Sequence, residues 1–225
     1  MTMCSKGGPK LKLDRKSMVL YAITNRTWLG DKKLSEVVEE AILGGATFVQ
    51  LREKNVSFDE FVQLAREVKS VTDKYNVPFV INDNVEVALR VDADGVHIGQ
   101  GDVSVKSARD MLGRHKIIGV SAKNVHAAVS AQLEGADYIG AGSVFSTSTK
   151  LDAENINLHI LKEITSSVTI PVVAIGGINK DNVLNLSGCG IDGICAISAI
   201  FGQENVREAS SELFNLAEQT VGGYS

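Results

Sequence analysis

Short apolar, β-branched runs alternate along the chain with longer segments whose apolar residues recur every three or four positions. This is the pattern of buried strands followed by amphipathic helices. The runs lie at Met18 to Ile23, Thr47 to Leu51, Phe79 to Asn82, Gly95 to Ile98, Ile117 to Ser121, Tyr138 to Gly142, Val172 to Ile175 and Gly193 to Ile197. Between them, "LSEVVEEAILGG" sets Leu34, Val37, Val38, Ala41 and Ile42 on one helical face, and "FDEFVQLAREVKSV" does the same with Phe58, Phe61, Val62, Ala65 and Val68. The segments "GGATFVQ" from Gly44, "DADGVHIG" from Asp92, "EGADYIG" from Glu134 and "CGIDGICA" from Cys189 repeat one junction, a helix end passing directly into an apolar strand. Such units in unbroken succession, without a Pro- or Ser-rich linker, predict a single (β/α)8 TIM barrel over residues 17–225. An open doubly wound sheet would show fewer strands and a glycine fingerprint at its first turn. Residues 1–16 are basic at Lys6, Lys10, Lys12, Arg15 and Lys16 but hold no apolar core, so they read as a flexible N-terminal tail and not as a secretory signal.

Composition narrows the class of partner. The chain is 44% hydrophobic but only 5% aromatic, as suits buried parallel strands, and its net charge of −4 argues against a general nucleic-acid surface. No apolar run approaches the ~18 residues of a membrane span. Cys4, Cys189 and Cys195 form no C-x-x-C pair and are odd in number, which points to free thiols in a reducing, cytoplasmic setting. Anion binding, if present, must therefore be local, and a homo-oligomer is left open.

In a barrel of this kind the reacting groups stand where strands end, at the C-terminal rim. Polar residues collect there: Gln50, Arg52 and Lys54 after the second run, Asn82 and Asp83 after the third, Gln100 and Asp102 after the fourth, Ser121 at the fifth, and "STSTK" (Ser146 to Lys150) after the sixth. Asp83 and Asp102 have two readings, as caps of the helices starting near Asn84 and Val103 or as ligands of a Mg²⁺ ion, which takes one or two carboxylates plus phosphate and water. Arg52, Lys54 and Lys150 on the same rim tip the balance toward a phosphate-rich ligand with magnesium. A second anion site is expected from "AIGGIN" and "AISAI", where Gly177 admits close backbone approach and Ser198 opens a helix. The two sites differ in kind, one of cations and metal and one of backbone dipoles, which suits a diphosphate and a monophosphate. His97 reads as a packed or hydrogen-bonded barrel residue. No H-x-x-x-H or Cys/His cluster supports zinc, and no Ser, His and Asp set is organised for acyl transfer.

Taken in order, "QLREK", "ND", "HIGQGD", "GVSA", "STSTK", "IGGI" and "ISAI" make the chain resemble the thiamine phosphate synthases from about Met18 to Ala217. The resemblance implies condensation of a hydroxymethylpyrimidine diphosphate with hydroxyethylthiazole phosphate by a Mg²⁺-assisted dissociative substitution, with two phosphorylated small molecules as partners and neither nucleic acid nor membrane. Carried over by motif, Gln50, Leu51, Arg52, Glu53, Lys54, Asn82, Ser121 and Lys150 would contact the pyrimidine diphosphate, with Arg52, Lys54, Ser121 and Lys150 catalytic. Asp83 and Asp102 would hold one Mg²⁺. Thr147, Ser148, Thr149, Gly177, Ile197 and Ser198 would contact the thiazole phosphate. The family's prolines are replaced here by Ser143 and Ser146, which predicts a looser loop. The alternatives are a thiazole tautomerase, which would carry a histidine where this chain has Lys123, and a non-catalytic phosphate-ligand sensor on the same scaffold.

Overall fold

The computed structural model describes residues 13–146 and 155–222. Eight parallel strands close into a barrel in chain order: β1 (Leu20–Ile23), β2 (Phe48–Leu51), β3 (Phe79–Asn82), β4 (Gly95–Ile98), β5 (Ile117–Ala122), β6 (Tyr138–Gly142), β7 (Val172–Ile175) and β8 (Gly193–Ala196). The helices α1 (Leu34–Leu43), α2 (Phe58–Tyr75), α3 (Val85–Val91), α4 (Val105–Leu112), α5 (Val125–Glu134), α6 (Leu158–Ser167), α7 (Ser198–Phe201) and α8 (Val206–Val221) lie outside, and a 3-10 turn at Val183–Leu186 stands where a helix after β7 would be. Expected and observed strands agree closely. At the edges, Met18 closes a 3-10 turn (Arg15–Met18) capped by the Asp14 side chain instead of beginning β1, and Ile197 caps α7 instead of ending β8. Arg15 bonds Asp192 and the Thr169 carbonyl, so the described part of the expected tail, residues 13–16, is tied to the barrel floor.

Alternation along each strand separates two cores. Outward residues such as Leu20, Ala22, Val49 and Leu51 pack with the helix faces built on Val37, Val38, Ala65 and Val68. Inward residues Tyr21, Phe48, Val80, Tyr138, Val173 and Cys195 plug the barrel itself. Tyr21 and Phe48 meet edge-on at 4.5 Å between centroids, and Phe48 meets Tyr138 at 5.7 Å. Gly119 makes this plug possible, because a Cβ there would lie 2.0 Å from the Tyr138 ring.

The repeated junction has a physical purpose. Each copy places one polar side chain just before an even-numbered strand, where it accepts an N–H from the first or second residue of the preceding odd strand. Thr47 Oγ1 takes Leu20 N–H, Asp94 takes Phe79 N–H, Asp137 takes Ile118 N–H and Asp192 takes Val172 N–H, at 2.8–2.9 Å. Donors at the strand entrances, which would otherwise be buried without partners, are thereby satisfied. Asp137 also pairs with Arg109, which bonds the Gly135 and Lys116 carbonyls. Asp137→Ala would leave that partly buried guanidinium and the Ile118 N–H without their carboxylate. We expect a loss of about 3 kcal/mol in a urea titration, since removing one member of such a pair typically costs that much.

Candidate active site

The strands hand their last side chains to a cavity of about 490 Å³ at the C-terminal end of the barrel. Its floor is the top of the inner plug, with Tyr21, Ile23, His97 and Cys195, and its walls are the rim loops. Gln50, Arg52, Lys54, Asn82, Asp83, Asp102, Ser121, Gly177, Ile197 and Ser198 all line it, so residues from loops far apart in sequence meet in one space.

Leu51 and Glu53, expected to contact the ligand, do not line it, and alternation is the reason. Gln50 faces into the barrel, so Leu51 faces out and is fully buried in the outer core. Glu53 turns to Arg26 of the loop after β1 and accepts from its Nε at 2.8 Å, while Arg26 also reaches Glu60 of α2. The Glu53 side chain is 4% exposed and its Oε1 has no partner; burial raises its carboxyl, and Arg26 opposes that shift. Arg52 between them points into the cavity, its own N–H held by Thr24 Oγ1 at 3.0 Å. Thr147, Ser148, Thr149 and Lys150 lie outside the described residues.

The two aspartates are not the helix caps. Asn84 caps α3 through Val87 N–H and Ser104 caps α4 through Ser107 N–H. Asp83 is thereby released, and its backbone takes the left-handed conformation at φ 61°, uncommon outside glycine, with its N–H on the His97 carbonyl at 2.8 Å. Asp102 accepts from Gly99 N–H at 2.7 Å. The Asp83 pKa is raised to about 6, first by the burial of its carboxyl among the rim loops and then by the neighbouring Asp102 carboxyl, with Asn82 and Arg52 opposing. The residue as a whole remains exposed by area, so water still reaches it.

On the opposite wall, Gly176 and Gly177 both have positive φ, 105° and 63°. A Cβ on Gly177 would come within 2.3 Å of the Ser146 carbonyl oxygen, so the β6 and β7 loops meet backbone to backbone. Phe145 N–H bonds the Gly176 carbonyl at 3.0 Å, and buried Ser143 donates to the Phe145 carbonyl at 2.8 Å. Ser146 is bonded by Asn155 at 3.1 Å. Through residue 146, then, the loop expected to be loosened by serine at two proline positions is pinned, because hydrogen bonds replace the ring constraint. Ile197 and Ser198 line the same cavity at the start of α7, where the first N–H groups have no helical carbonyl within reach.

Two residues that the sequence reading names without giving them a ligand role also line the cavity. Lys123 follows β5 and lines the cavity, and Gln100, also in the lining, donates to the Ser121 carbonyl at 2.8 Å. Position two residues past a strand's last inward side chain was the available signal for Lys123. His97 is hydrogen-bonded as expected, with Nδ1 2.9 Å from the Tyr138 hydroxyl and Nε2 2.9 Å from Ser121 Oγ. Among the described residues, no three His, Cys, Asp or Glu side chains form a metal cluster, and no helix is long and apolar enough to cross a membrane.

Comparison with known proteins is consistent over nearly the whole barrel. A family model described as thiamine monophosphate synthase matches residues 20–200. Thiamine-phosphate synthase of Clostridium novyi (strain NT) is 53% identical over 198 residues, covering 88% of this chain and 97% of that protein. The enzyme of the same name from Clostridium tetani (strain Massachusetts / E88) is 52% identical over 194 residues, covering 86% and 93%. Among solved structures, thiamine phosphate pyrophosphorylase from Pyrococcus furiosus superposes with a TM-score of 0.85 at 43% identity, covering 92% of this chain and 99% of that one.

Proposed function

Because the chain belongs to the thiamine monophosphate synthase family, we propose that its cavity joins 4-amino-2-methyl-5-hydroxymethylpyrimidine diphosphate to hydroxyethylthiazole phosphate, giving thiamine phosphate and diphosphate. The observation that carries this reading is the division of one cavity into two unlike walls. Arg52, Lys54, Asp83 and Asp102 enter the cavity from the loops after β2, β3 and β4, and Gly177, Ile197 and Ser198 from the loops after β7 and β8.

Asp83 and Asp102 line the cavity together, the Asp83 carboxyl raised first by burial and then by its neighbour Asp102, and two carboxylates with room for water and phosphate oxygens are a Mg²⁺ donor set. Asp83 and Asp102 would hold that ion, which when bound supplies neutralisation of charge on diphosphate oxygens. Arg52 and Lys54 bind the diphosphate, joined in this reading by Lys150. Gln50, Asn82 and Ser121 hold the pyrimidine, while the glycine pair and the start of α7 hold the thiazole phosphate, with Thr147, Ser148 and Thr149 beside it.

In the reaction, the bond from the pyrimidine methylene to the diphosphate oxygen breaks, its electron pair leaving on diphosphate. The thiazole nitrogen then donates its pair to the methylene carbon. No proton need be removed, which agrees with a histidine whose two ring nitrogens are already engaged by Tyr138 and Ser121. Positive side chains gathered where negative charge grows lower the barrier to bond breaking. The free buried thiols of Cys189 and Cys195 suit a cytoplasmic enzyme.

The test is to incubate both substrates with and without Mg²⁺ and to measure thiamine phosphate. Product should require both substrates and the ion, and its absence under all conditions would refute the reading. A narrower expectation concerns Gly177→Ala, where φ 63° and the Ser146 carbonyl leave no room for a methyl group. KM for the thiazole phosphate should rise about tenfold or more, corresponding to at least about 1.4 kcal/mol, with KM for the pyrimidine diphosphate changed far less in steady-state assays.

A further inference from the structure

A chain of hydrogen bonds crosses the barrel interior beneath the cavity. Gln50 Nε2 donates to the Tyr21 hydroxyl at 2.6 Å, and that hydroxyl lies 2.7 Å from the Tyr138 hydroxyl. The Tyr138 hydroxyl lies 2.9 Å from His97 Nδ1, and His97 Nε2 lies 2.9 Å from Ser121 Oγ. Gln50 and Ser121 at the two ends line the cavity, as do Tyr21 and His97, whereas Tyr138 is fully buried and does not. Small residues make space for the rings: a Cβ on Gly119 would fall on the Tyr138 ring, and one on Gly140 would lie 3.0 Å from His97 Cε1.

Such a chain has a direction. A hydroxyl has one proton to give, and each nitrogen of a neutral imidazole either donates or accepts, so the choice made at one end propagates to the other. With the Gln50 amide donating, Tyr21 gives its proton to Tyr138 and Tyr138 gives its own to His97 Nδ1. The ring then carries its hydrogen on Nε2 and donates it to Ser121, whose own proton is left for the cavity. Gln50 Oε1 is left as the acceptor at the other end. Run backwards, the same chain would offer a donor at Gln50 and an acceptor at Ser121. Burial above all holds both phenols well above the ordinary tyrosine range, so they remain neutral hydroxyls and the direction is not scrambled by ionisation.

We propose that this chain is a polarity relay in which Tyr21, Tyr138 and His97 are positioning residues that fix Gln50 as acceptor and Ser121 as donor, and thereby select a 4-aminopyrimidine over its 4-oxo counterpart. The inference rests on the pyrimidine reading of the cavity given above. An aminopyrimidine edge offers an N–H donor beside a ring-nitrogen acceptor. The oxo form offers a carbonyl acceptor beside a ring N–H donor, the opposite pattern. A mismatch at both ends sets acceptor against acceptor and donor against donor, and sites built on buried hydrogen bonds reject such ligands strongly, here by at least about 10²-fold in kcat/KM.

The experiment has two arms. In the first, kcat/KM is measured with the amino and the oxo pyrimidine diphosphates for the wild type and Tyr138→Phe, with Tyr21→Phe as the second variant should the first fail to fold. The relay predicts that the amino-to-oxo ratio collapses by about tenfold or more, because Ser121 and Gln50 become free to reverse. Equal losses on both substrates, with the ratio kept, would show a purely structural role and overturn it. In the second arm, the His97 tautomer of the ligand-free wild type is read from the nitrogen shifts of the ring. Hydrogen on Nε2 is expected, and hydrogen on Nδ1 would overturn the relay. The two arms separate the possible failures: no turnover with the amino substrate but hydrogen on Nε2 indicts the reaction, whereas turnover with hydrogen on Nδ1 indicts the relay.

Discussion

Replacing Asp83 by asparagine should cut Mg²⁺-dependent turnover severely while making the metal-free fold more stable at neutral pH. Asparagine tolerates the left-handed backbone at this position as aspartate does, so the variant changes charge without straining the turn. The folded pKa of about 6 lies above the ordinary aspartate value of about 3.9. A carboxyl raised in the folded state contributes stability that is fully present below the unfolded pKa and is lost as pH rises through the folded one. The wild type therefore gives up stability between about pH 4 and pH 6, and Asp83→Asn does not. Thermal denaturation without metal should show the two proteins alike near pH 4 and the variant with the higher Tm at pH 7.5. Adding Mg²⁺ should raise the wild-type Tm and leave the variant unmoved. Turnover in the variant should fall on the order of 10²–10³-fold. A variant that is less stable at pH 7.5, or as active as the wild type, would remove Asp83 from the proposed metal site.

Arg52→Ala is the second large effect. The side chain lines the cavity from a loop fixed by its own N–H on Thr24, and it lies close enough to Asp83 to oppose that residue's pKa rise. In the proposed reaction it faces the leaving diphosphate, where charge accumulates as the bond breaks. Its loss should therefore lower kcat by on the order of 10²–10³-fold rather than merely raise KM. Arg52→Lys restores the charge but not the two-pronged guanidinium, so it should recover only part of the rate. Neither change should alter the urea midpoint much, because the packing of the loop depends on the Arg52 backbone and on the neighbouring Glu53–Arg26 pair. Near-normal kcat in Arg52→Ala would place the residue at the rim as a bystander.

The barrel was legible because its signals are local. Apolar runs mark the strands and helical spacing marks their covers, and the repeated junction foretold a recurring unit whose hydrogen bonds the structure supplies through Thr47, Asp94, Asp137 and Asp192. Choices between adjacent residues of like chemistry were harder. Asp83 and Asn84 are equally good caps by type, and only the left-handed φ of Asp83 decides that Asn84 does the capping. Leu51 and Glu53 came into the expected ligand set as part of an unbroken motif, although strand alternation already separates Leu51 from Gln50. The interior relay could not have been read from the chain, since its central pair, Tyr21 and Tyr138, is separated by 117 positions and joined only by barrel closure.

The claim on which the rest depends is that one cavity holds two anions by different means. Calorimetric titration of diphosphate in the presence of Mg²⁺, and separately of hydroxyethylthiazole phosphate, into the wild type, Arg52→Ala and Gly177→Ala tests it directly. A crossed result is predicted: Arg52→Ala weakens diphosphate about tenfold or more and spares the thiazole phosphate, while Gly177→Ala does the reverse. If each variant weakened both ligands equally, the two walls would be one site, and the account would be contradicted.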